Sequence, residues 1–94
     1  MFAKEPTDLD DISDEMSDRE ILRFGLAAEL DAINFYEQMA EYTDDDQIKE
    51  VLLDVAAEEK EHVGEFETML LERDEQQVEM GEEGKEEVRE MLGK

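Results

Sequence analysis

Three residues of this chain have the side-chain types and spacing that metal binding requires. Glu59 and His62 form a Glu-x-x-His pair, and residues three apart lie on the same face of a helix, so one metal ion can contact both side chains. Glu29 is a carboxylate at a position where a helical pattern requires an apolar side chain. Carboxylate and imidazole ligands without a thiolate favour iron or manganese and tolerate zinc.

Each of these residues also has an ordinary structural explanation. Glu29 could lie at the edge of an apolar band with its carboxylate in solvent, and Glu59 is one acid beside Glu58 and Glu61. His62 could be a hydrogen-bonded core histidine. A charged carboxylate in a core is costly unless it is paired or metal-bound, and the three residues occupy core positions of one helical register. Together they therefore favour a metal site.

Two long helices are predicted to position this site. Ser17 and Glu20 form a capping box, so the first helix should begin there and run to about Tyr42. Residues 43–46 supply an N-cap and negative charge for a second helix, which should run to about Arg73. The short connection predicts antiparallel neighbours. Steps of three and four link the apolar residues Leu22, Leu26, Ile33, Tyr36 and Ala40, and then Ile48, Leu52, Val55, Phe66 and Met69.

The width of these apolar bands predicts association. Each band is too wide for a single hairpin contact to bury. A complete two-iron site in a four-helix bundle uses two Glu-x-x-His motifs and two further glutamates, whereas this chain has one such set and no internal repeat. Two copies related by a two-fold axis would supply the full set. We therefore expect an all-α antiparallel two-helix hairpin, plus a short C-terminal helix, that forms a four-helix bundle on dimerisation with metals at the interface.

The first sixteen residues differ from the rest of the chain. Residues 1–16 are acidic, contain the only proline, Pro6, and show little periodicity. We expect a flexible acidic arm there and a single domain over residues 17–94. An acidic start does not resemble a secretory signal or a transit peptide, and no apolar run approaches the roughly 18 residues of a membrane span.

The last twenty residues predict a broken helix. Residues 74–80 should form a short helical turn, after which Gly81 and Gly84 should interrupt the chain. Residues 86–92 should form a short terminal helix that ends before Gly93.

Charge is the dominant feature of the composition, with 31 acidic against 9 basic residues and a net charge of −22. Nucleic acid is a poor partner, because phosphate binding needs clustered Lys and Arg. Three explanations remain: a solvated surface for a high-salt cytoplasm, attraction of cations, or disorder. Abundant Asp and scarce Lys favour the first. The absence of Cys excludes disulfides and fits a reducing, cytoplasmic setting.

The segments at 28–36 (AELDAINFY) and 57–62 (AEEKEH) together resemble the encapsulated ferritins, half-length ferritin-like proteins related to rubrerythrins. The similarity covers about residues 17–92. It implies a ferritin-like four-helix bundle and a dimer interface that holds a two-iron ferroxidase centre, so that the protein would be an oxidoreductase active in iron storage. It also implies a ring-shaped homodecamer, which in many members is cargo inside an encapsulin nanocompartment.

The resemblance implies a role for each residue that matches the family motif. Glu29, Glu59 and His62 match the iron ligands, with Glu59 of each chain bridging the two irons. Tyr36 matches a tyrosine beside the centre, although it could equally be a core residue with its hydroxyl at the edge. Asp31 matches one of the family's acids near the entry to the site, where a secondary iron position would lie, whereas Ala28 replaces another of these acids.

Other functions stay open at this stage. One is a non-catalytic acidic helical interaction module without metal. A rubrerythrin-like peroxidase is another, although such enzymes use a rubredoxin domain with Cys pairs that is missing from this sequence. Manganese or zinc could also occupy the site. Residues 90–94 lack the apolar and basic tail of encapsulin cargo, so the chain would be a piece of a longer protein, dock differently, or not be cargo.

Overall fold

A computed structural model describes residues 17–94 and shows three helices in that part of the chain. Helix α1 spans Asp18–Tyr42, α2 spans Asp46–Leu71 and α3 spans Glu75–Leu92. Helices α1 and α2 pack along each other as an antiparallel hairpin with a short loop, and α3 contacts the hairpin lightly through α2. The all-α prediction is confirmed, while the flexible arm predicted for residues 1–16 lies outside the described residues.

Side-chain caps determine where the two hairpin helices begin. The Oγ atom of Ser17 accepts a hydrogen bond from the backbone N–H of Glu20, whose carboxylate in turn accepts one from the Ser17 N–H, both at 3.2 Å. This is the predicted capping box. At the start of α2, Oδ1 of Asp45 accepts from the N–H groups of Gln47 and Ile48 at 2.9 and 3.1 Å. Both caps satisfy donors that have no partner inside a helix.

Helix α3 is continuous, so the predicted interruption at Gly81 and Gly84 is wrong. A glycine inside a helix costs about 1 kcal/mol relative to alanine, which disfavours a helix without forbidding it. Two ion pairs support the helix across one turn each, Lys85–Glu82 at 3.1 Å and Arg89–Glu86 at 3.3 Å. The predicted stop at Gly93 is confirmed, because this residue ends α3 with φ 69°, a left-handed conformation that glycine adopts readily.

The hairpin leaves most of its apolar side chains at least partly exposed. Four apolar residues are buried within residues 17–94: Leu22, Ala40, Ala56 and Leu70. The radius of gyration is 16.7 Å, whereas a compact domain of this size would have about 12 Å. Within the described residues, none of the helices has the length and apolarity that crossing a membrane would take.

One side of the hairpin carries a continuous apolar surface, which we call the open face. Its exposed members are Ile21, Phe24, Phe35 and Tyr42 of α1 and Ile48, Val51 and Met69 of α2. Near the loop these residues border an open groove of about 540 Å³. This surface confirms that one hairpin cannot bury its own apolar bands.

Candidate metal centre

Helices α1 and α2 bring the three predicted ligands together. The Nδ1 atom of His62 lies 3.6 Å from Oε2 of Glu29 and 3.6 Å from Oε2 of Glu59. One ligand atom from each residue lies within 4.8 Å of the others. Metal bonds to imidazole nitrogen and carboxylate oxygen are about 2.0–2.2 Å long, so two ligands of one ion lie up to about 4.2 Å apart. The two 3.6 Å separations therefore suit a shared ion.

The environment of Glu29 also fits a cation. Its side chain is 20% exposed and that of Glu59 is 19% exposed. The Oε2 atom of Glu29 is buried and has no hydrogen-bond partner among residues 17–94. A buried carboxylate oxygen without a partner is costly, and a metal ion at the cluster would compensate it. Both the oxygen-and-imidazole chemistry and this orphaned atom match a metal site.

His62 is the most exposed residue of the cluster and lies on its side nearest the open face. Its side chain is 44% exposed, more than twice the value of either glutamate. Helical geometry places His62 on the same side of α2 as Val51 and Met69, which belong to the open face. A partner that covered this face would therefore enclose the cluster.

A close contact between the helices lies one turn from the cluster. Gly25 precedes Glu29 by four residues, and Phe66 follows His62 by four. A Cβ atom on Gly25 would lie 2.8 Å from Cε1 of Phe66, a distance at which the ring would have to move. Gly25 thus lets the Phe66 ring lie against α1, and this contact sets the helix separation beside the cluster.

Two ion pairs between elements were not predicted from the sequence. Nη2 of Arg23 lies 2.8 Å from Oδ2 of Asp74, and Nζ of Lys60 lies 2.9 Å from Oε2 of Glu37. Asp74 also caps α3, since its Oδ1 accepts from the N–H of Gln77 at 3.1 Å. The cap had a signal in the sequence, Asp at N-cap with Gln at N3. The ion pairs had none, because the paired residues are far apart in the chain.

The surroundings of Asp74 stabilise its charged form. The Gln77 backbone N–H lowers the pKa of Asp74 below its ordinary value, and the hydrogen bond and charge of Arg23 act in the same direction, with a further contribution from Arg19. Burial opposes these effects and raises the pKa, but the net direction is downward. Asp74 is therefore a structural carboxylate, stabilised by hydrogen bonds from Arg23 and the Gln77 N–H.

Tyr36 and Asp31 lie outside the three-residue cluster. Tyr36 follows Glu29 by seven residues, so it shares nearly the same helix face about 10 Å further along α1. Its ring packs edge-on against Phe35, with centroids 6.3 Å apart, and its hydroxyl makes no hydrogen bond to another residue in the 17–94 segment. Asp31 points about 200° around the helix from Glu29 and is half-buried. Their functional roles remain predictions.

Similarity to known proteins shows the family of this chain. A family model described as EncFtn-like matches residues 4–92. The chain belongs to the EncFtn-like family. This confirms the resemblance inferred from the two motif segments.

Two relatives of this EncFtn-like chain come from Pyrococcus furiosus. A "Ferritin-like-encapsulin shell fusion protein" is 57% identical over 74 residues, which cover 79% of this chain and 21% of that protein. The chain therefore spans about a fifth of the length of this relative. The crystal structure of an encapsulated ferritin domain superposes with a TM-score of 0.80 at 49% identity, covering 88% of this chain and 89% of that one. The predicted ferritin-like helical fold is confirmed.

Proposed function

We propose that this EncFtn-like protein is a ferroxidase that oxidises Fe(II) to Fe(III) for iron storage and detoxification. The observation that carries this proposal is the cluster of Glu29, Glu59 and His62, in which a buried oxygen of Glu29 accepts no hydrogen bond from the described residues. Membership of the EncFtn-like family supports iron as the metal. The relative named as a ferritin-like–encapsulin fusion supports it as well.

A second copy of the chain would complete the centre. The open face exposes large apolar side chains of both hairpin helices, among them Ile21, Phe35 and Val51. A contiguous apolar surface of this kind is typical of a protein–protein interface. A two-fold partner on the open face would bring a second trio beside the first, which gives the four glutamates and two histidines of a two-iron site.

The ligands would favour oxidation through their charge. Glu29 and Glu59 are anionic, and anionic ligands stabilise Fe(III) more than Fe(II). Covering the open face would remove water and strengthen this interaction. Two Fe(II) ions release two electrons, which with two protons reduce one O₂ to H₂O₂; peroxide is the alternative acceptor. Glu29, Glu59 and His62 of each copy would hold the irons, Glu59 as the ligand shared between them, and Tyr36 would tune the site.

We extend the proposal to the assembly. Dimers would form a ring-shaped homodecamer and associate with an encapsulin shell protein, inside a nanocompartment of the cytoplasm. The fusion of a ferritin-like part to an encapsulin shell in the Pyrococcus relative supports this association. Asp31 would provide a secondary iron position on the path into the site.

Substitution of the ligands tests the ferroxidase proposal. We expect Glu29→Ala, Glu59→Ala and His62→Ala each to slow Fe(II) oxidation by at least about tenfold, followed by the absorbance of the Fe(III) product. Glu58→Ala and Glu61→Ala remove neighbouring exposed glutamates and serve as matched controls, which should retain wild-type rates. Wild-type oxidation by any ligand variant would remove that residue from the site, and equal losses in the controls would assign the effect to bulk charge.

The linkage between metal and dimer gives an independent test. A ligand that binds only the assembled state stabilises that state, so Fe(II) under anaerobic conditions should tighten the dimer measured by sedimentation velocity. The same metal should have no effect on His62→Ala. An unchanged sedimentation profile for the wild type would contradict a shared centre and favour a non-catalytic interaction module.

A further inference from the structure

The three ligands of the cluster are not held in place in the same way. Glu59 and His62 lie one turn apart on α2, so the helix itself keeps the Oε2 atom of one and the Nδ1 atom of the other close, at 3.6 Å. Glu29 comes from α1, and its Oε2 atom lies 3.6 Å from the same Nδ1 atom. This second distance depends on the separation between α1 and α2. Glu29 is therefore the ligand that any change in helix separation would displace.

The contact between Gly25 and Phe66 lies at this helix separation. Three ring atoms of Phe66, Cε1, Cδ1 and Cζ, lie 2.8, 3.1 and 3.1 Å from the place that a Cβ atom on residue 25 would occupy. A whole edge of the ring thus lies against the α1 backbone, rather than the mobile end of a long side chain. Gly25 precedes Glu29 by four residues and Phe66 follows His62 by four, so the contact is about one helical turn from the ligands.

The space at Gly25 is comparable to the tolerance of the metal site. Carbon atoms in contact lie about 3.5 Å apart, so a methyl group at position 25 would separate the ring and α1 by roughly 0.7 Å. If α1 moves as a rigid helix, the Glu29–His62 distance reaches about 4.2 Å, the largest separation that two ligands of one ion can have. At that limit the two bonds point in opposite directions from the ion, and any further shift breaks one of them.

An ion pair also joins the two helices, but it constrains their separation less. Nζ of Lys60 lies 2.9 Å from Oε2 of Glu37, and both side chains are exposed. Helical geometry places Glu37 about 120° around α1 from Gly25, on another flank of the hairpin. Solvent screens an exposed pair, and its long side chains can follow a small movement of the helices. A ring packed on backbone has no such freedom, so the ring contact sets the separation.

We propose that Gly25 and Phe66 are positioning residues of the metal centre. The ring, lying against the bare backbone of α1, sets the helix separation at which Glu29 reaches an ion held by the two ligands of α2. This inference rests on the metal site of the proposed function and adds what determines its affinity. Changes at either positioning residue act on metal binding through Glu29, because helix α2 alone fixes the other two ligands.

Binding of Co(II) to the full chain tests this role, since the visible absorption of Co(II) reports its ligands without an oxidation step. Gly25→Ala adds a methyl group, Phe66→Leu removes the ring, and the double variant combines both so that one volume change offsets the other. Each is made in the wild type and in Glu29→Ala. Gly64→Ala is the matched control, because the same methyl group there meets nothing within 4 Å. Circular dichroism verifies the fold of every variant.

We expect Gly25→Ala to raise the Kd for Co(II) by about tenfold or more and Phe66→Leu by about fivefold or more, with the absorption spectrum changed as in Glu29→Ala. Neither change should weaken binding further in Glu29→Ala, because a contact that acts through a ligand has no effect once that ligand is gone. The double variant should return to within about threefold of the wild type, and Gly64→Ala should bind as the wild type does.

A wild-type Kd in both Gly25→Ala and Phe66→Leu would overturn the proposal, since the ring would have yielded without moving α1. Equal losses with and without Glu29 would overturn it too, because the variants would then act through general stability. If Gly25→Ala does not fold, Phe66→Leu in the two backgrounds decides. Co(II) binding that is indifferent to Glu29→Ala would overturn this inference together with the metal site, whereas intact Co(II) binding without Fe(II) oxidation would contradict the ferroxidase proposal and leave this inference standing.

Discussion

Glu29 and Asp74 are both carboxylates largely withdrawn from solvent, but their surroundings differ. Asp74 is 6% exposed, and it accepts hydrogen bonds from Arg23 and from the Gln77 N–H. Glu29 has one buried oxygen that accepts no hydrogen bond within the described part of the chain. Buried polar groups are almost always paired, so the contrast separates a carboxylate that holds helices together from one that is available to a cation.

The lowered pKa of Asp74 makes its stabilising effect depend on pH. A carboxyl whose pKa is lower in the folded state adds stability above its unfolded pKa of about 3.9, and this stability is lost as pH falls through the folded value. Asp74→Asn retains an N-cap oxygen but loses the charge. Urea unfolding should show the wild type more stable than Asp74→Asn at pH 7, with the difference shrinking below about pH 4. A difference independent of pH would contradict this role.

Which residues the sequence could reveal depends on how they are spaced. Glu59 and His62 were visible because polar ligands interrupt a periodic apolar stripe, and Glu29 interrupts the facing stripe. Arg23 and Asp74 were not visible, because nothing local in the chain links residues that meet only after α2 has reversed direction. Periodicity reports the face of a helix, whereas contacts across elements require the fold itself.

At the scale of elements, N-cap residues in the sequence predicted helix boundaries better than glycines did. The Ser17–Glu20 box and the acidic turn before α2 located both helix starts, because each satisfies specific N–H groups. The end of α2 at Leu71 came two residues before the prediction, within the usual uncertainty of helix termini. The interruption predicted at Gly81 and Gly84 was wrong, because a glycine is a weak helix breaker and the surrounding glutamates, lysine and arginine favour a helix.

Two glycines in the hairpin should respond oppositely to the same substitution. A Cβ atom at Gly64 would meet nothing within 4 Å, whereas one at Gly25 would collide with the Phe66 ring. Gly64→Ala should therefore stabilise by up to about 1 kcal/mol through helix propensity. Gly25→Ala should lose that gain and destabilise, because the Phe66 ring must move. Urea unfolding of both variants checks this, and equal stabilisation would show that the Gly25 contact does not constrain the helices.

At the scale of the whole molecule, charge and apolar surface act against each other. Copies that carry −22 each repel, while the apolar open face favours association. The sequence indicated that a partner was needed, because its apolar bands were too wide for one hairpin. It did not indicate where α3 would lie, since that depends on a contact between the α1 side chain of Arg23 and the cap of α3.

This opposition predicts an unusual response to salt. The Debye length falls from about 10 Å at 0.1 M to about 3 Å at 1 M, which weakens repulsion between copies and leaves apolar association intact. Sedimentation velocity should therefore show tighter assembly as KCl rises over that range. Assembly that weakens with salt would mean that ion pairs, rather than apolar contacts, hold the copies together.

Anomalous diffraction at the iron absorption edge, from crystals grown with Fe(II), tests the central claim most directly. We expect two iron positions near a two-fold axis between two copies, each within bonding distance of Glu29, Glu59 and His62 side chains drawn from both subunits. Iron held by the residues of one copy alone, or iron bound only at other acidic residues while this cluster faces solvent, would contradict a shared ferroxidase centre.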